Sequence, residues 1–164
     1  MGHSTALHRR AGVGSAPRIE PRTLVAIAVV DTYPLITVER LVESRDFFVG
    51  CFAMRVVFEA TWVVMLSQGE DDRISLGLMA SDHPSSPPGP ETFDGTGMIV
   101  TIQVHDAGGL HSRLVAEGIA IEHGLSDAPW GQRRFLVRDP SNILVDVVEQ
   151  IEPAPGFWDT YVAP

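Results

Sequence analysis

The sequence predicts an α+β fold of paired βαβββ modules that form a curved mixed sheet around a cavity. The first observation is an internal repeat, because the order strand, helix, three strands occurs twice, with starts about 65 residues apart. The second is a segment rich in proline and glycine that separates the two copies. The third is an apolar fraction of 45% in 164 residues, which is enough for a shared core. Each module alone would expose one face of its sheet, and pairing buries that face around a trough.

The first module is predicted over residues 32–81. Its opening strand spans 33–39, where β-rich residues surround a proline typical of an edge strand. A helix follows over 40–50, and Gly50 is expected to end it. The predicted buried face of this helix carries Leu41, Phe47, Phe48 and Cys51.

Three strands should complete the first module, at 54–60, 62–67 and 74–80, because these runs are β-branched and aromatic. A polar turn separates the last two. Gly77 lies inside the third strand and indicates a bulge or a close backbone approach.

The second module, predicted over residues 97–150, repeats this order. A strand at 98–104 precedes a helix that Asp106 should cap at its N-terminus and Gly118 should end. Three further strands are predicted at 119–123, 132–138 and 143–148. A tight turn of Asp, Pro, Ser and Asn joins the last two strands.

Three segments lie outside the modules. Residues 1–31 are expected to be a mostly disordered leader, although its apolar part, Leu24–Val30, could add a strand or cover a sheet edge. Residues 82–96 are an irregular linker. Residues 151–164 form a tail with three aromatic residues, which is expected to cover a strand edge or a subunit contact.

Charge and composition exclude several classes of partner. The net charge is −9, so the surface should repel nucleic-acid phosphates. No apolar run approaches the ~18 residues of a spanning helix, so no membrane partner is expected. The single cysteine, Cys51, cannot form an intrachain disulfide and is expected to be buried. These features favour a cytoplasmic protein.

The segment Pro129–Glu149 resembles the terminal hairpin of the vicinal-oxygen-chelate superfamily, which includes glyoxalases, bleomycin-resistance proteins and extradiol dioxygenases. That hairpin carries Trp-Gly, a short strand, an Asp-Pro-x-Gly-Asn turn and an apolar strand with a carboxylate. Tyr33–Phe48 resembles the opening strand and helix of the same family. The Gly-Asn pair of the turn is Asn142-Ile143 here, and Asn142 can adopt the left-handed conformation.

The resemblance also implies where a divalent metal would bind, through side chains from four strands. The corresponding positions are Tyr33, Ile99, Asp146 and a fourth on the strand that carries Ser75 and Gly77. Only Asp146 is a plausible ligand, and one carboxylate does not hold a transition metal selectively. No metal or other cofactor is therefore expected, and a divalent ion is the less favoured alternative. Of the histidines, His105 and His123 are the strongest remaining candidates.

The resemblance implies three functions. The favoured one is metal-independent binding and sequestration of a small aromatic or apolar ligand by a homodimer, as in the antibiotic-resistance branch. The ligand would contact Trp62, Trp130, Arg134, Phe135 and Asp146. One alternative is a metal-dependent lyase, isomerase or dioxygenase. The other is a metal-free enzyme with Asp146 as the catalytic acid–base residue.

Overall fold

The computed structural model describes residues 29–84 and 91–161, and the chain from Asp31 onward forms one compact unit. Almost all of the predicted leader lies outside the described residues, and so does most of its apolar segment.

The first module contains five elements in the predicted order. They are β1 (Leu35–Val38), α1 (Leu41–Phe52), β2 (Arg55–Ala60), β3 (Val63–Ser67) and β4 (Leu76–Ala80). The sheet order is β1-β4-β3-β2, with β1 parallel to β4 and the other pairs antiparallel.

The second module has the same arrangement. Its elements are β5 (Val100–Gln103), α2 (Ala107–Ala116), β6 (Ile121–Ala128), β7 (Gln132–Arg138) and β8 (Leu144–Gln150). The sheet order is β5-β8-β7-β6, and β5 is parallel to β8. The prediction of an α+β fold with two βαβββ modules and mixed sheets is therefore confirmed. No helix in the described ranges is long and apolar enough to cross a membrane.

The prediction that Gly50 ends the first helix was wrong. Helix α1 continues through Gly50 to Phe52, and Ala53 closes it in the left-handed region at φ 54°. The additional residues bury Cys51 and bring the Phe52 ring to 5.7 Å from the ring of Phe47. This apolar contact outweighs the low helix propensity of one glycine, which costs about 1 kcal/mol.

Two other local predictions can be compared directly with the structure. Asp106 caps α2 as predicted, because its Oδ1 accepts a hydrogen bond of 2.7 Å from the backbone N–H of Gly109. Strand β6 is longer than predicted, because it continues beyond His123 to Ala128. Its polar, glycine-containing sequence gives little strand signal, and pairing with β7 supplies the order that local propensity lacks.

Gly77 provides room for neighbouring side chains. A Cβ atom there would lie 2.8 Å from Cδ1 of Leu35 and 3.2 Å from Sδ of Met65. The pairing of β4 with β1 and β3 is regular around Gly77, and the irregular register of this sheet lies in β2, between Val56 and Phe58. The sequence predicted either a bulge or a close backbone approach at Gly77. The structure has no bulge there, and the groups that approach Gly77 most closely are the side chains of Leu35 and Met65.

One core cluster contains buried residues of both modules. Each sheet contributes the side chains that face its helix, and each helix contributes its apolar face. Among the most deeply buried members are Phe48, Leu66, Leu78, Leu114, Phe135, Val137, Ile143 and Val147. Because the cluster is shared, neither module has a separate core.

The turn between β7 and β8 connects the second module to α1. Asn142 takes the left-handed conformation that the sequence predicts, at φ 69°. Ser141 Oγ accepts a hydrogen bond of 3.1 Å from the backbone N–H of Arg40, and the hydroxyl of Ser44 lies 2.8 Å from it. The turn therefore binds the first turn of α1.

Asp139 organises this turn from inside. Its Oδ1 accepts hydrogen bonds from the backbone N–H groups of Ser141 (2.9 Å) and Ile143 (2.6 Å), and the residue is only 5% exposed. Burial raises the pKa of the Asp139 carboxyl above its ordinary value of 3.8, although these hydrogen bonds oppose the change.

We expect the variant Asp139→Asn to gain stability relative to the wild type as pH rises from about 4 to 7. An aspartate with a raised folded-state pKa binds its proton more tightly when folded. Its contribution to stability is therefore present at acidic pH and is lost as pH rises through the folded pKa. Asparagine keeps the acceptor oxygen without the charge. Urea unfolding of both proteins across this pH range measures the difference, and a difference independent of pH would contradict this account.

Candidate ligand-binding site

Alternation along β7 gives the second sheet two different faces. Phe135 is 0% exposed, and its ring lies 5.2 Å from that of His111 on α2, so it faces the helix. Arg134 and Leu136 point to the opposite side, which we call the open face. Phe135 therefore packs in the core and does not line the surface on which a ligand could bind.

A cavity of about 540 Å³ lies on the open face. This volume falls in the range of sites for small organic molecules, roughly 300–1,000 Å³. Strands β6, β7 and β8 form its floor, and the turn between β6 and β7 forms one edge. Residues that line it include His123, Ser126, Trp130, Arg134, Leu136 and Leu144.

Arg134, which lines the cavity, forms a bidentate ion pair with Asp146 of β8, which does not line it. Nε of Arg134 donates to Oδ1 (3.0 Å) and Nη2 donates to Oδ2 (2.7 Å). The side chains are 23% and 9% exposed, so the pair is largely withdrawn from water. Nη1 of Arg134 makes no hydrogen bond within the described residues and remains a donor for a ligand.

A second arginine lies on the same face. Nε of Arg138 is 3.2 Å from Oε1 of Glu122, and both residues line the cavity. The two-residue period of β7 places Arg138 on the same face as Arg134, with Leu136 between them, and turns Arg133 to the other side, where it pairs with the exposed Asp127. The site predicted from the sequence did not include Arg138, Leu136 or Glu122.

Trp130 stands at the edge of the cavity in the turn between β6 and β7. Its indole Nε1 donates a hydrogen bond of 2.7 Å to Oε1 of Gln132. The guanidinium carbon of Arg134 lies 5.7 Å from the centre of the Trp130 ring, within the range of a cation–π contact. Trp130, Arg134 and Asp146, three of the predicted ligand contacts, thus form a connected group.

Trp62 does not join this group. It lies in the turn between β2 and β3, the counterpart in the first module of the turn that carries Trp130. Its nearest aromatic contact is with His83, at 6.5 Å between ring centres, and it does not line the cavity on the second sheet. The repeat therefore places the two tryptophans at equivalent points of different modules.

Comparison with known proteins identifies the family. Residues 27–147 match the family model described as Glyoxalase/Bleomycin resistance protein/Dioxygenase superfamily. The chain belongs to this superfamily. A search of curated proteins gave no match.

Solved structures of the superfamily fold resemble this chain along most of its length. A glyoxalase/bleomycin resistance protein/dioxygenase from Nocardioides has a TM-score of 0.62 at 17% identity, covering 81% of this chain and 91% of its own. TioX from Micromonospora sp. ML1 has a TM-score of 0.58 at 22% identity, covering 75% and 100%. Lactoylglutathione lyase from Agrobacterium tumefaciens has a TM-score of 0.56 at 20% identity, covering 79% and 96%. At these identities the similarity establishes the fold.

The superfamily includes metal-dependent members, so the corresponding positions can be tested for a metal. Two of the positions that correspond to metal ligands are Asp146 on β8 and Gly77 on β4. Asp146 lies opposite Thr101 of β5, and Gly77 lies opposite Leu35 of β1. Both oxygens of Asp146 already accept hydrogen bonds from Arg134. Within residues 29–84 and 91–161, no three His, Cys, Asp or Glu side chains come together as a metal site. These residues do not fit a divalent ion.

The other candidates for metal or thiol chemistry do not come together in one site. They are His105, His123 and Cys51. His123 lines the cavity, whereas His105 is exposed just beyond β5. Cys51 is buried in the last turn of α1, and burial raises the pKa of its thiol. A protonated, enclosed thiol is a poor nucleophile, so Cys51 acts as a core residue.

Removing Arg134 should destabilise the protein by about 3 kcal/mol, because the Asp146 carboxylate would stay buried without its partner. The double variant Arg134→Met/Asp146→Val should be more stable than Arg134→Met alone. Chemical denaturation of the four proteins in this double-mutant cycle measures the coupling.

The matched control is Arg133→Met, one residue away, whose ion pair with Asp127 is exposed. It should change the free energy of unfolding by less than about 1 kcal/mol. Equal effects of the two arginine substitutions would refute a special role for the Arg134–Asp146 pair.

Proposed function

We propose that this protein binds a small, flat aromatic molecule stoichiometrically, without a metal, in the cavity on the open face of the second sheet. The observation that carries the proposal is the composition of that cavity. Its edge holds the Trp130 ring, and its floor holds a guanidinium with a free donor and the apolar side chain of Leu136. Sites for small molecules combine apolar walls with a few fixed polar groups in this way.

The Trp130 ring supplies the stacking surface. An aromatic ligand placed against it gains apolar burial and a ring–ring contact worth about 1 kcal/mol beyond the buried area. Arg134 already lies near this ring, so a ligand that stacks there also comes within reach of the guanidinium.

The two arginines of the cavity, Arg134 and Arg138, favour a ligand with an acceptor oxygen. Nη1 of Arg134 can donate to a carbonyl or carboxylate oxygen on the ligand, and such charge-assisted hydrogen bonds are stronger than neutral ones. Arg138 lies on the same face, partly balanced by Glu122. The preferred ligand is therefore a planar aromatic molecule that carries an acceptor oxygen.

Asp146 serves this site by fixing Arg134. Because both carboxylate oxygens accept hydrogen bonds from the guanidinium, the pair holds the fork in one orientation and neutralises its charge. A general base needs a free oxygen close to the proton that it removes, so this arrangement favours binding over catalysis by Asp146.

The subunit arrangement expected for this protein is a homodimer. Exposed apolar side chains that a partner subunit could cover include Leu35, Phe58 and Ile99, all outside the cavity of the second sheet. Sedimentation equilibrium would measure the mass in solution.

We expect isothermal titration calorimetry with 2-naphthoate to give one binding site per chain. Trp130→Leu should weaken binding about tenfold, equivalent to ~1.4 kcal/mol, through loss of the stacking surface. The matched control is Trp62→Leu, the same substitution in the equivalent turn of the first module, which should leave the affinity unchanged. Equal losses in the two variants would contradict binding at the cavity.

A metal-dependent enzyme is tested in the same preparation. Protein purified without added ions should contain less than stoichiometric metal, and its affinity for 2-naphthoate should be unchanged by EDTA. One bound ion per chain that is lost in Asp146→Asn would favour the lyase or dioxygenase alternative instead.

A further inference from the structure

We infer that the C-terminal tail, residues 151–161, is the positioning element of the ligand site and holds Trp130 at the edge of the cavity. This inference rests on the proposed function. The tail leaves the end of β8 and crosses the turn between β6 and β7, where Trp130 is located. It thus lies on this turn, although the sequence favoured a strand edge or a subunit contact.

Three successive carbonyl groups of the turn accept hydrogen bonds from the tail. The backbone N–H of Ala154 donates to Pro129 (2.9 Å), and that of Ile151 donates to Gly131 (2.9 Å). Between them, the indole Nε1 of Trp158 donates to the carbonyl of Trp130 itself (3.2 Å). The peptide groups before and after Trp130 therefore both accept hydrogen bonds from the tail, which limits rotation of the Trp130 backbone.

Gly131 allows the tail to come this close. Its φ is +102°, a conformation that favours glycine. A Cβ atom there would lie 2.9 Å from the carbonyl oxygen of Ile151 and 3.2 Å from the nitrogen of Pro153. The turn and the tail are therefore in direct backbone contact, with no side chain between them at this position.

The aromatic residues of the tail complete the support. Phe157 lies 6.4 Å from the ring of Trp130, 5.2 Å from that of Trp158 and 5.1 Å from that of Tyr161. These distances are typical of aromatic clusters. Phe157 is thus the centre of a small cluster that backs the Trp130 indole, which accounts for three aromatic residues in so short a tail.

Trp158 acts through Trp130 and not on the ligand directly. It is 45% exposed and does not line the cavity. With the indole N–H of Trp130 bonded to Gln132, Trp130 is held from β7 on one side and from the tail on the other. A ring held before the ligand arrives does not have to be ordered on binding, so the tail should increase affinity by preorganisation.

The test uses the full-length protein labelled with 5-fluorotryptophan, whose three ¹⁹F resonances are assigned by single Trp→Phe substitutions. In Phe157→Ala, the Trp130 resonance should shift or broaden while that of Trp62 stays in place. Trp158→Phe, which removes the indole donor but keeps an aromatic ring at this position, should shift the Trp130 resonance as well. Thermal unfolding of both variants should stay cooperative.

The same variants should bind 2-naphthoate about fivefold more weakly than the wild type, the effect of losing about one hydrogen bond or ring contact. Trp62→Phe is the matched control, since it removes an indole from the equivalent turn of the first module, and its affinity should equal that of the wild type. A tail that only stabilised the fold would lower the unfolding temperature without changing the Trp130 resonance or the affinity.

Two outcomes separate this inference from the proposed function. An unchanged Trp130 resonance in both tail variants overturns the positioning role, whether or not the protein binds 2-naphthoate. A wild-type protein that fails to bind 2-naphthoate removes support for the ligand class, and the inference that the tail serves a ligand site fails with it. In that case a shift of the Trp130 resonance would assign the tail to support of the turn alone.

Discussion

The pairing of β7 with β8 is the constraint on which the rest of this molecule depends. Because side chains alternate across a strand, one register places Phe135 and Val147 against α2 and places Arg134 and Asp146 on the open face. A slip of one residue would bury an arginine beneath the helix and expose a phenylalanine. Core packing therefore fixes the composition of the cavity as well as the stability of the module.

The ion pair between Arg134 and Asp146 determines which polar groups the cavity presents. A buried carboxylate needs a compensating partner, and Asp146 finds one in Arg134 on the neighbouring strand. This ion pair occupies both oxygens of Asp146, which a metal would need. It leaves Nη1 of Arg134 able to donate. In the function proposed here, the same ion pair replaces a metal site and leaves a donor for an acceptor oxygen of the ligand. The neighbouring pair of Arg138 with Glu122 keeps the cavity close to electrically balanced.

The turn between β6 and β7 gains order from contacts outside the shared hydrophobic core. Its carbonyl groups are satisfied by the tail, and its tryptophan is backed by Phe157. The equivalent turn of the first module carries Trp62, which instead lies near His83. Two modules with one topology therefore present their tryptophans in different surroundings, and only one of them stands beside the cavity on the second sheet.

The sequence by itself determined the class of fold, the order of the elements and the left-handed turn at Asn142, because hydrophobic periodicity, caps and turn residues are local signals. It also predicted Trp130, Arg134 and Asp146 as ligand contacts, and the structure connects these three side chains with one another. Tertiary structure decided the end of α1, the length of β6, the burial of Phe135 and the separation of Trp62 from the cavity. It also joined the tail to the Trp130 turn. Each of these depends on contacts between residues distant in sequence, and no local pattern encodes which face meets which partner.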